Sequence, residues 1–422
     1  MSGIEPKELF ETLFHESVRA ADPALAMQAF MPEPPRGRLV VVGAGKSTGK
    51  MAEAFEKAWD GPLEGVVVVP HGHEVSVEKI RVLHAAHPVP DEAGLAATRA
   101  LFDAVEGLSA DDLVVALISG GGSALLPAPP EGMTLKDEIA VNRALLASGA
   151  PISAMNVVRK HLSTIKGGQL ALAAHPATVL TLIVSDIPGD DPAMVASGPT
   201  VPDRANRAEA LQIVESYGIE LPSAALTRLS SPDADLAPPE DERFDGNEVK
   251  IIASAARSLE AVAEKARELG IPAAILSEAI EGEARDIGAM HGAIAREVAL
   301  KSRPFPKPVL LISGGETTVT IKGDGGKGGR NGEFLLALAL SIEGVAGIHA
   351  FAADTDGRDG SEHNAGAFAD GSSVMRMRQN GRDPRQSLAN HDSWSAFSCV
   401  GDIFHCGPTG TNVNDLRLVL IR

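Results

Sequence analysis

Three apolar, β-branched runs in this chain end in glycine. Residues 39–42 run into Gly43-Ala44-Gly45-Lys46, residues 113–118 into Ser119-Gly120-Gly121-Gly122-Ser123, and residues 309–312 into Ser313-Gly314-Gly315. The runs are continuously apolar rather than alternating, which predicts strands buried on both faces, as in a parallel sheet covered by helices. Glycine at the end of such a strand lets backbone approach a ligand or a neighbouring segment where a Cβ would block it. Residues 66–69, 82–85 and 179–184 read as further strands. Between them, residues 50–59, 91–105, 135–147 and 156–173 read as helices, so the fold class is α/β with helices layered on the sheet.

The pattern breaks at residues 230–248, SSPDADLAPPEDERFDGNE, which is Pro-rich, acidic and without an apolar period. This stretch reads as a linker or exposed excursion. Alternation then resumes, with strands at 250–253, 273–276, 309–312, 349–352 and 416–421, helices at 255–269, 282–299 and 331–342, and a hairpin through 317–321. The simplest account is two α/β domains, residues 1–240 and 241–422.

Charge narrows the partners. Lys and Arg number 38 against 56 Asp and Glu, a formal net charge of −18. An acidic surface repels polyanions, so nucleic acid is excluded as an expected partner, while a small anion needs a local basic cluster or a metal ion. The two cysteines, Cys399 and Cys406, cannot build a disulfide framework and fit a reducing compartment. The N-terminal stretch is acidic and amphipathic, with Leu9, Phe10, Leu13, Phe14 and Val18 on one face, unlike a signal peptide. Apolar runs such as 334–340 fall short of the ~18 residues of a membrane span. The expectation is a cytoplasmic protein of small-molecule partners, with no membrane association and a homodimer left open.

Six segments carry candidate chemistry. The turn Gly43–Gly49 nearly matches the dinucleotide fingerprint, but its third glycine comes one residue late and the next strand ends Val69-Pro70-His71 without a ribose-binding acid. The same turn satisfies G-x-S-x-G around Ser47, with no recognisable acid and His to complete a hydrolase. What remains is a glycine turn offering backbone amides to an anion, with Lys46 as a movable charge. The Ser119–Ser123 turn offers three consecutive glycines and two hydroxyls. Arg159, Lys160 and Lys166 form a local positive cluster without an intervening acid, suited to a carboxylate or phosphate. Asp186 closes a strand, and Asp190 and Asp191 follow on a Pro/Gly loop, where oxygen ligands suit Mg²⁺. Seven glycines between Ser313 and Gly329, interleaved with Lys322, Lys327 and Arg330 before a helix, suggest a polyphosphate cradle or a mobile lid. Finally, Asp354, Asp356 and Asp359 end a strand in a calcium-loop-like spacing, but position 12 is Ala365 and no helix precedes it, which favours a magnesium ligand or a catalytic base. Ordinary turns and solvated faces have the same compositions. His71, His73, His84 and His87 show no ligand spacing and read as structural.

In this order, the six segments resemble the type II glycerate kinases, the MOFRL family, whose members are often labelled hydroxypyruvate reductase. The resemblance runs from Gly43 to about Arg417, through the closing Cys406-Gly-Pro-Thr-Gly-Thr-Asn-Val-Asn-Asp415. It implies a Rossmann-like N-terminal domain, a smaller C-terminal α/β domain and an active site in the cleft between them. The implied activity is ATP-dependent phosphorylation of D-glycerate to 2-phosphoglycerate with Mg²⁺ or Mn²⁺. The implied functional residues are Lys46, Arg330 and an Asp of 354–359, Asp356 foremost. Phosphoryl transfer asks the protein for positioning and charge stabilisation, which such groups supply. Expected substrate and nucleotide contacts are Gly45, Ser47, Ser119, Gly120, Gly121, Gly122, Ser123, Arg159, Lys160, Ser313, Gly314, Gly315, Glu316, Asn331 and Asn364, with Asp186 and Asp190 on the metal. The runner-up is an NAD(P)H-dependent hydroxypyruvate reductase using the imperfect fingerprint. A sensor that binds without turnover is a third class.

Overall fold

The computed structural model describes residues 4–187, 189–321, 323 and 325–422. It divides into two compact units, Pro23–Ile252 and the chain up to Asp22 together with Ala253–Arg422.

In the first unit, β1 (Leu39–Ala44), β2 (Glu64–Pro70), β3 (Ile80–Ala85), β4 (Leu113–Ser119), β5 (Thr178–Val184) and β6 (Glu248–Ala253) form one sheet in the order β3-β2-β1-β4-β5-β6. β1 to β5 pair in parallel. Alternate residues of the apolar strands serve two faces. Val40, Val42, Val66, Val68, Val114, Ala116 and Ile118 pack with Ala97 and Leu101 of the helix Glu92–Val105. On the opposite register Val41, Val67, Val69 and Leu117 are also buried, and the helix Thr48–Ala58 packs on β2 and β4. Double burial is the reason these strands read as unbroken apolar runs. The strand order reverses between β1 and β4, and in an open α/β sheet such a switch point opens a crevice beyond the carboxyl ends of the strands. A satellite of helices, Leu135–Ala147, Ile152–His161, Arg207–Ser216 and Ser223–Ser230, has its own apolar cluster around Val141, Val158 and Val214.

The second unit holds β7 (Ala273–Ser277), β8 (Gly282–Glu283), β9 (Val309–Ser313), β10 (Thr317–Thr318), β11 (Ile348–Asp354), β12 (Gly366–Asp370), β13 (Ile403–Phe404) and β14 (Asp415–Ile421). Six of them form a mixed sheet, β13-β12-β11-β14-β9-β7, parallel only between β7 and β9. One face packs against the helix Arg330–Ser341 through Phe334 and Leu338, the other against the helices Pro6–Ala20 and Ala255–Glu268.

Four expectations need correction. The boundary does not fall at 240. The acidic stretch stays with the first unit because Ala234 and Phe244 are buried, and β6 completes the first sheet, so the division comes after residue 252. The N-terminal helix belongs to the second unit because its apolar face is covered there, with Phe14 edge-on to Phe351 and Phe404 at ring distances of 6.0 and 5.0 Å. The helix expected over 156–173 is two: the first, Ile152–His161, stops at Leu162, and the second, Gln169–Ala174, starts afresh from Gly168, since Gly167 and Gly168 take φ of +63° and +85° and cannot continue a right-handed helix. The hairpin at 317–321 is absent; β10 pairs in parallel with β8. Lys322, expected among the loop cations, lies outside the described residues.

Truncating Phe14 tests the assignment of the N-terminal helix. Phe14→Ala should destabilise the chain by about 3–5 kcal/mol in urea unfolding. An unchanged midpoint would place this helix outside the core.

Candidate active site

Two glycine turns meet at the switch point, and they behave differently. In the turn after β1, Gly45 N–H donates to the Val68 carbonyl (3.1 Å), Lys46 N–H to the Gly120 carbonyl (2.9 Å) and Ser47 N–H to Ser119 Oγ (3.0 Å). Thr48 Oγ1 lies 3.1 Å from Ser119 Oγ. These amides are therefore not open to an anion, contrary to expectation, and Ser47 and Ser119 are buried ties between the two turns. Glycine is required here because a Cβ on Gly45 would strike Ser119. The first turn's contribution is the exposed Lys46 side chain, which makes no ion pair among the described residues.

The turn after β4 is open. Among the described residues the amides of Gly120, Gly121 and Gly122 donate to no protein acceptor. A Cβ on Gly121 would sit 3.1 Å from His87 Nε2 and 3.2 Å from Lys46 Cε, so both side chains converge on this turn. A Cβ on Gly120 would collide with the Asp186 carboxylate. Burial, then the charges of Lys46 and His73, lower the His87 pKa, so this imidazole is neutral at pH 7. Ser123 Oγ lies 3.0 Å from Ser197 Oγ. Ala196 and Ser197 have φ of +52° and +61°, uncommon for residues other than glycine.

Of the expected basic cluster only Arg159 keeps an open edge. Lys160 is wholly buried and paired with Asp203, and Lys166 is buried on Glu138 at 3.2 Å. Lys160 is thus removed as a ligand contact, because its side chain is sealed against its partner.

The second unit gathers ionisable groups where β11 ends, β14 begins and the helix Arg330–Ser341 starts. Arg330 donates from Nε to Asp415 Oδ1 (2.9 Å), from Nη2 to Asp354 Oδ2 (2.8 Å) and from Nη1 to Glu316 Oε1 (2.7 Å). Burial works against its charge, but Asp415 and Asp354 outweigh it and hold its pKa above the ordinary arginine value. Asp415 also accepts from Asn331 Nδ2 (2.7 Å) and Arg417 Nη2 (2.6 Å). Burial and the neighbouring Asp415 push Asp354 up to about 8 against the pull of Arg330. Asp356 donates its N–H to Asp354 Oδ1 (3.0 Å). A recess of about 550 Å³ is lined by Arg330, Glu333, Asp354, Asp356, Asp359 and His391.

The expected cradle at the start of this helix is already filled. Asp359 accepts from the amides of Asn331 (3.0 Å) and Gly332 (2.8 Å), so the chain's own carboxylate occupies the place given to phosphate. Ser313 is buried on His291, Asn331 on Asp359 and Asp415, and Asn364 on the Gly366 carbonyl; Gly314 and Gly315 turn their carbonyls toward Arg417. These groups support the recess. Among the described residues no three His, Cys, Asp or Glu side chains converge to hold a metal ion. Asp186 and Asp190 supply hard oxygen donors, a chemistry that suits Mg²⁺ completed by water and phosphate.

Sequence reasoning missed His87, Ser197, Asp415 and Arg417. Arg417 had a signal, a lone cation inside the apolar run Leu416–Ile421. His87 and Ser197 had none, since distant turns bring them to the site.

The fold is that of an α/β protein in which glycine turns and ionisable side chains gather at the ends of its strands. Residues 9–230 match the family described as Domain of unknown function (DUF4147), and residues 309–415 match the MOFRL family. The chain belongs to this DUF4147–MOFRL family. It is 38% identical to D-glycerate 2-kinase of Thermotoga maritima, over 98% of each chain. It is 49% identical to an Agrobacterium vitis protein carrying a provisional hydroxypyruvate reductase name, over 100% of this chain and 95% of that one. A crystal structure of glycerate kinase from Thermotoga maritima aligns with a TM-score of 0.90, covering 99% of both chains at 38% identity.

Asp359 yields a pH prediction. Burial raises its pKa to about 6, from an ordinary value near 4. The folded chain then holds the proton more tightly than the unfolded chain, so this stabilisation is full below about pH 4 and is lost as pH rises through 6. The stability difference between wild type and Asp359→Asn should move by roughly 2–3 kcal/mol across that window. Parallel melting curves for the two proteins would contradict this.

Proposed function

We propose that this chain catalyses ATP-dependent phosphorylation of D-glycerate to 2-phosphoglycerate. The observation that carries the reading is Lys46 beside the open amides of Gly120–Gly122 at the sheet's switch point, a positively polarised place for a phosphate in a chain of net charge −18. The glycerate kinase names of the Thermotoga maritima relative and structure supply the substrate.

Phosphoryl transfer needs charge stabilisation more than covalent chemistry. Lys46 neutralises charge on the transferring phosphoryl group, and the Gly120–Gly122 amides hold phosphate oxygens. Arg330, held in place by three carboxylates, supplies a second cation whose orientation does not wander. The Asp354–Asp356 pair takes the proton of the substrate hydroxyl. Asp354 suits this because its raised pKa lies near the working pH. Asp186 and Asp190 would hold Mg²⁺, which would add neutralisation of phosphate charge. The reductase reading has the Agrobacterium vitis name in its favour, but the fingerprint amides at Gly45–Ser47 are bonded within the protein and β2 ends without an acid.

Coupled ADP release with D-glycerate, followed by phosphorus NMR of the product, tests the activity and the phosphorylated position together. NADH oxidation with hydroxypyruvate in the absence of ATP would overturn it. Lys46→Ala and Arg330→Ala should each lower kcat/KM by about 10³–10⁵, as for other charge clamps in phosphoryl transfer, with the fold retained by circular dichroism. Asp354 acts as a base only when ionised, so kcat/KM should rise with pH through about 8. Asp354→Asn should lose that limb; a profile identical to wild type would remove Asp354 from proton transfer.

A further inference from the structure

Arg159 is a cation for which neither the fold nor the proposed transfer step has a use. It lies on the helix Ile152–His161, and its guanidinium is largely withdrawn from solvent. Its hydrogen-bonding partners are neutral: Nε donates to Asn142 Oδ1 (2.8 Å) and Nη1 to Asn156 Oδ1 (3.1 Å). Among the described residues no carboxylate pairs with it. The contrast with its surroundings is sharp. Lys160 and Lys166 each hold a carboxylate, and so do the inward-turned Arg285, Arg330, Arg376 and Arg417. Glu138, the carboxylate whose charge acts on it, is engaged by Lys166 and by the Ala128 amide. A withdrawn charge without a counter-ion is costly, so the arrangement asks for an anion from outside the chain.

The surroundings point to where that anion sits. Arg159 Nη2 makes no hydrogen bond among the described residues and is not sealed from solvent. Asn156 Oδ1, besides receiving Arg159, accepts from Ser197 Oγ (3.3 Å), which pairs with Ser123 Oγ (3.0 Å). Ser123 directly follows the open Gly120–Gly122 turn. Ser197 is held in its left-handed conformation by Gly167 N–H donating to its carbonyl (3.1 Å). The two asparagines hold the guanidinium plane and leave Nη2 to donate to a carboxylate. Burial lowers the arginine's pKa, the direction expected where a counter-ion is still to arrive.

We propose that Arg159, oriented by Asn142 and Asn156, binds the carboxylate of the 2-hydroxy acid substrate and makes the enzyme selective for acids over uncharged polyols. The inference rests on the glycerate kinase reading but has its own readout.

The test uses the full chain as wild type, Arg159→Met and Arg159→Lys, with initial rates on D-glycerate and on D-glyceramide, in which the carboxylate is a neutral carboxamide. Arg159→Met should raise the KM for D-glycerate on the order of 10²-fold, as expected for losing one partner of a desolvated charge pair. The KM for ATP and the rate on D-glyceramide should stay as in wild type, and Arg159→Lys should recover part of the loss. An unchanged KM for D-glycerate, equal losses on the acid and the amide, or a loss falling on ATP would overturn the proposal. Should Arg159→Met fail to fold, Arg159→Lys decides by the ratio of its D-glycerate loss to its D-glyceramide loss, a ratio of one overturning the assignment. Should wild type release no ADP at all, the kinase reading fails by itself. Calorimetry with D-glycerate alone then decides: binding by wild type that Arg159→Met loses supports the carboxylate site, and equal or absent binding overturns it.

Discussion

The carboxylate of Asp415 is the point on which the second unit's chemistry depends. It opens β14 with no exposure to solvent, and it accepts from Arg330, Asn331 and Arg417 at 2.6–2.9 Å. Three elements are thereby tied together: the last strand, the start of the helix Arg330–Ser341, and, through Arg417, the Gly314 carbonyl after β9. Two cations and three carboxylates, Asp354, Asp359 and Asp415, share this small buried volume, so the negative groups exceed the positive ones. Burial first, and then this excess through Asp415, raises the pKa of Asp354 against the pull of Arg330. The unusual protonation of the site follows from burial together with this crowding.

The first unit solves a different problem with the same residue type. Both of its turns are glycine-rich, yet one is closed and the other open. The turn after β1 uses its amides to bind β2 and the turn after β4, and so presents Lys46 from a rigid base. The turn after β4 leaves its amides free and is shaped by what presses on it: Asp186, His87, Lys46 and the strained Ala196–Ser197 segment. Strain of this kind persists only where surrounding bonds over-determine it, here those from Gly167 and Gly168. The broken helix at 162–168 is therefore part of the site's construction.

Much of the fold was legible because its strands are buried on both faces. Leu113–Ser119 and Thr178–Val184 announce themselves by apolar content alone. Lys46 and Arg330 stand out in the sequence as cations set in glycine. The misreadings share one cause. Gly167-Gly168 separates two helices by left-handed backbone angles that composition does not reveal, and the acidic stretch is held by a few buried side chains, Ala234 and Phe244, among many exposed ones. Lys160 looked like a ligand contact because Asp203, its partner, lies far off in sequence.

By itself, then, the sequence determined most of the strands, the glycine turns that follow them and the cations set beside those turns, since these depend on residues near one another along the chain. It determined nothing about which charges are neutralised. Pairing of Lys160 with Asp203, filling of a helix start by Asp359, and the neutral partners of Arg159 among the described residues were decided by tertiary structure alone. The physical reason is that a buried charge is governed by whatever lies within a few ångströms of it, and folding brings those neighbours from anywhere in the chain.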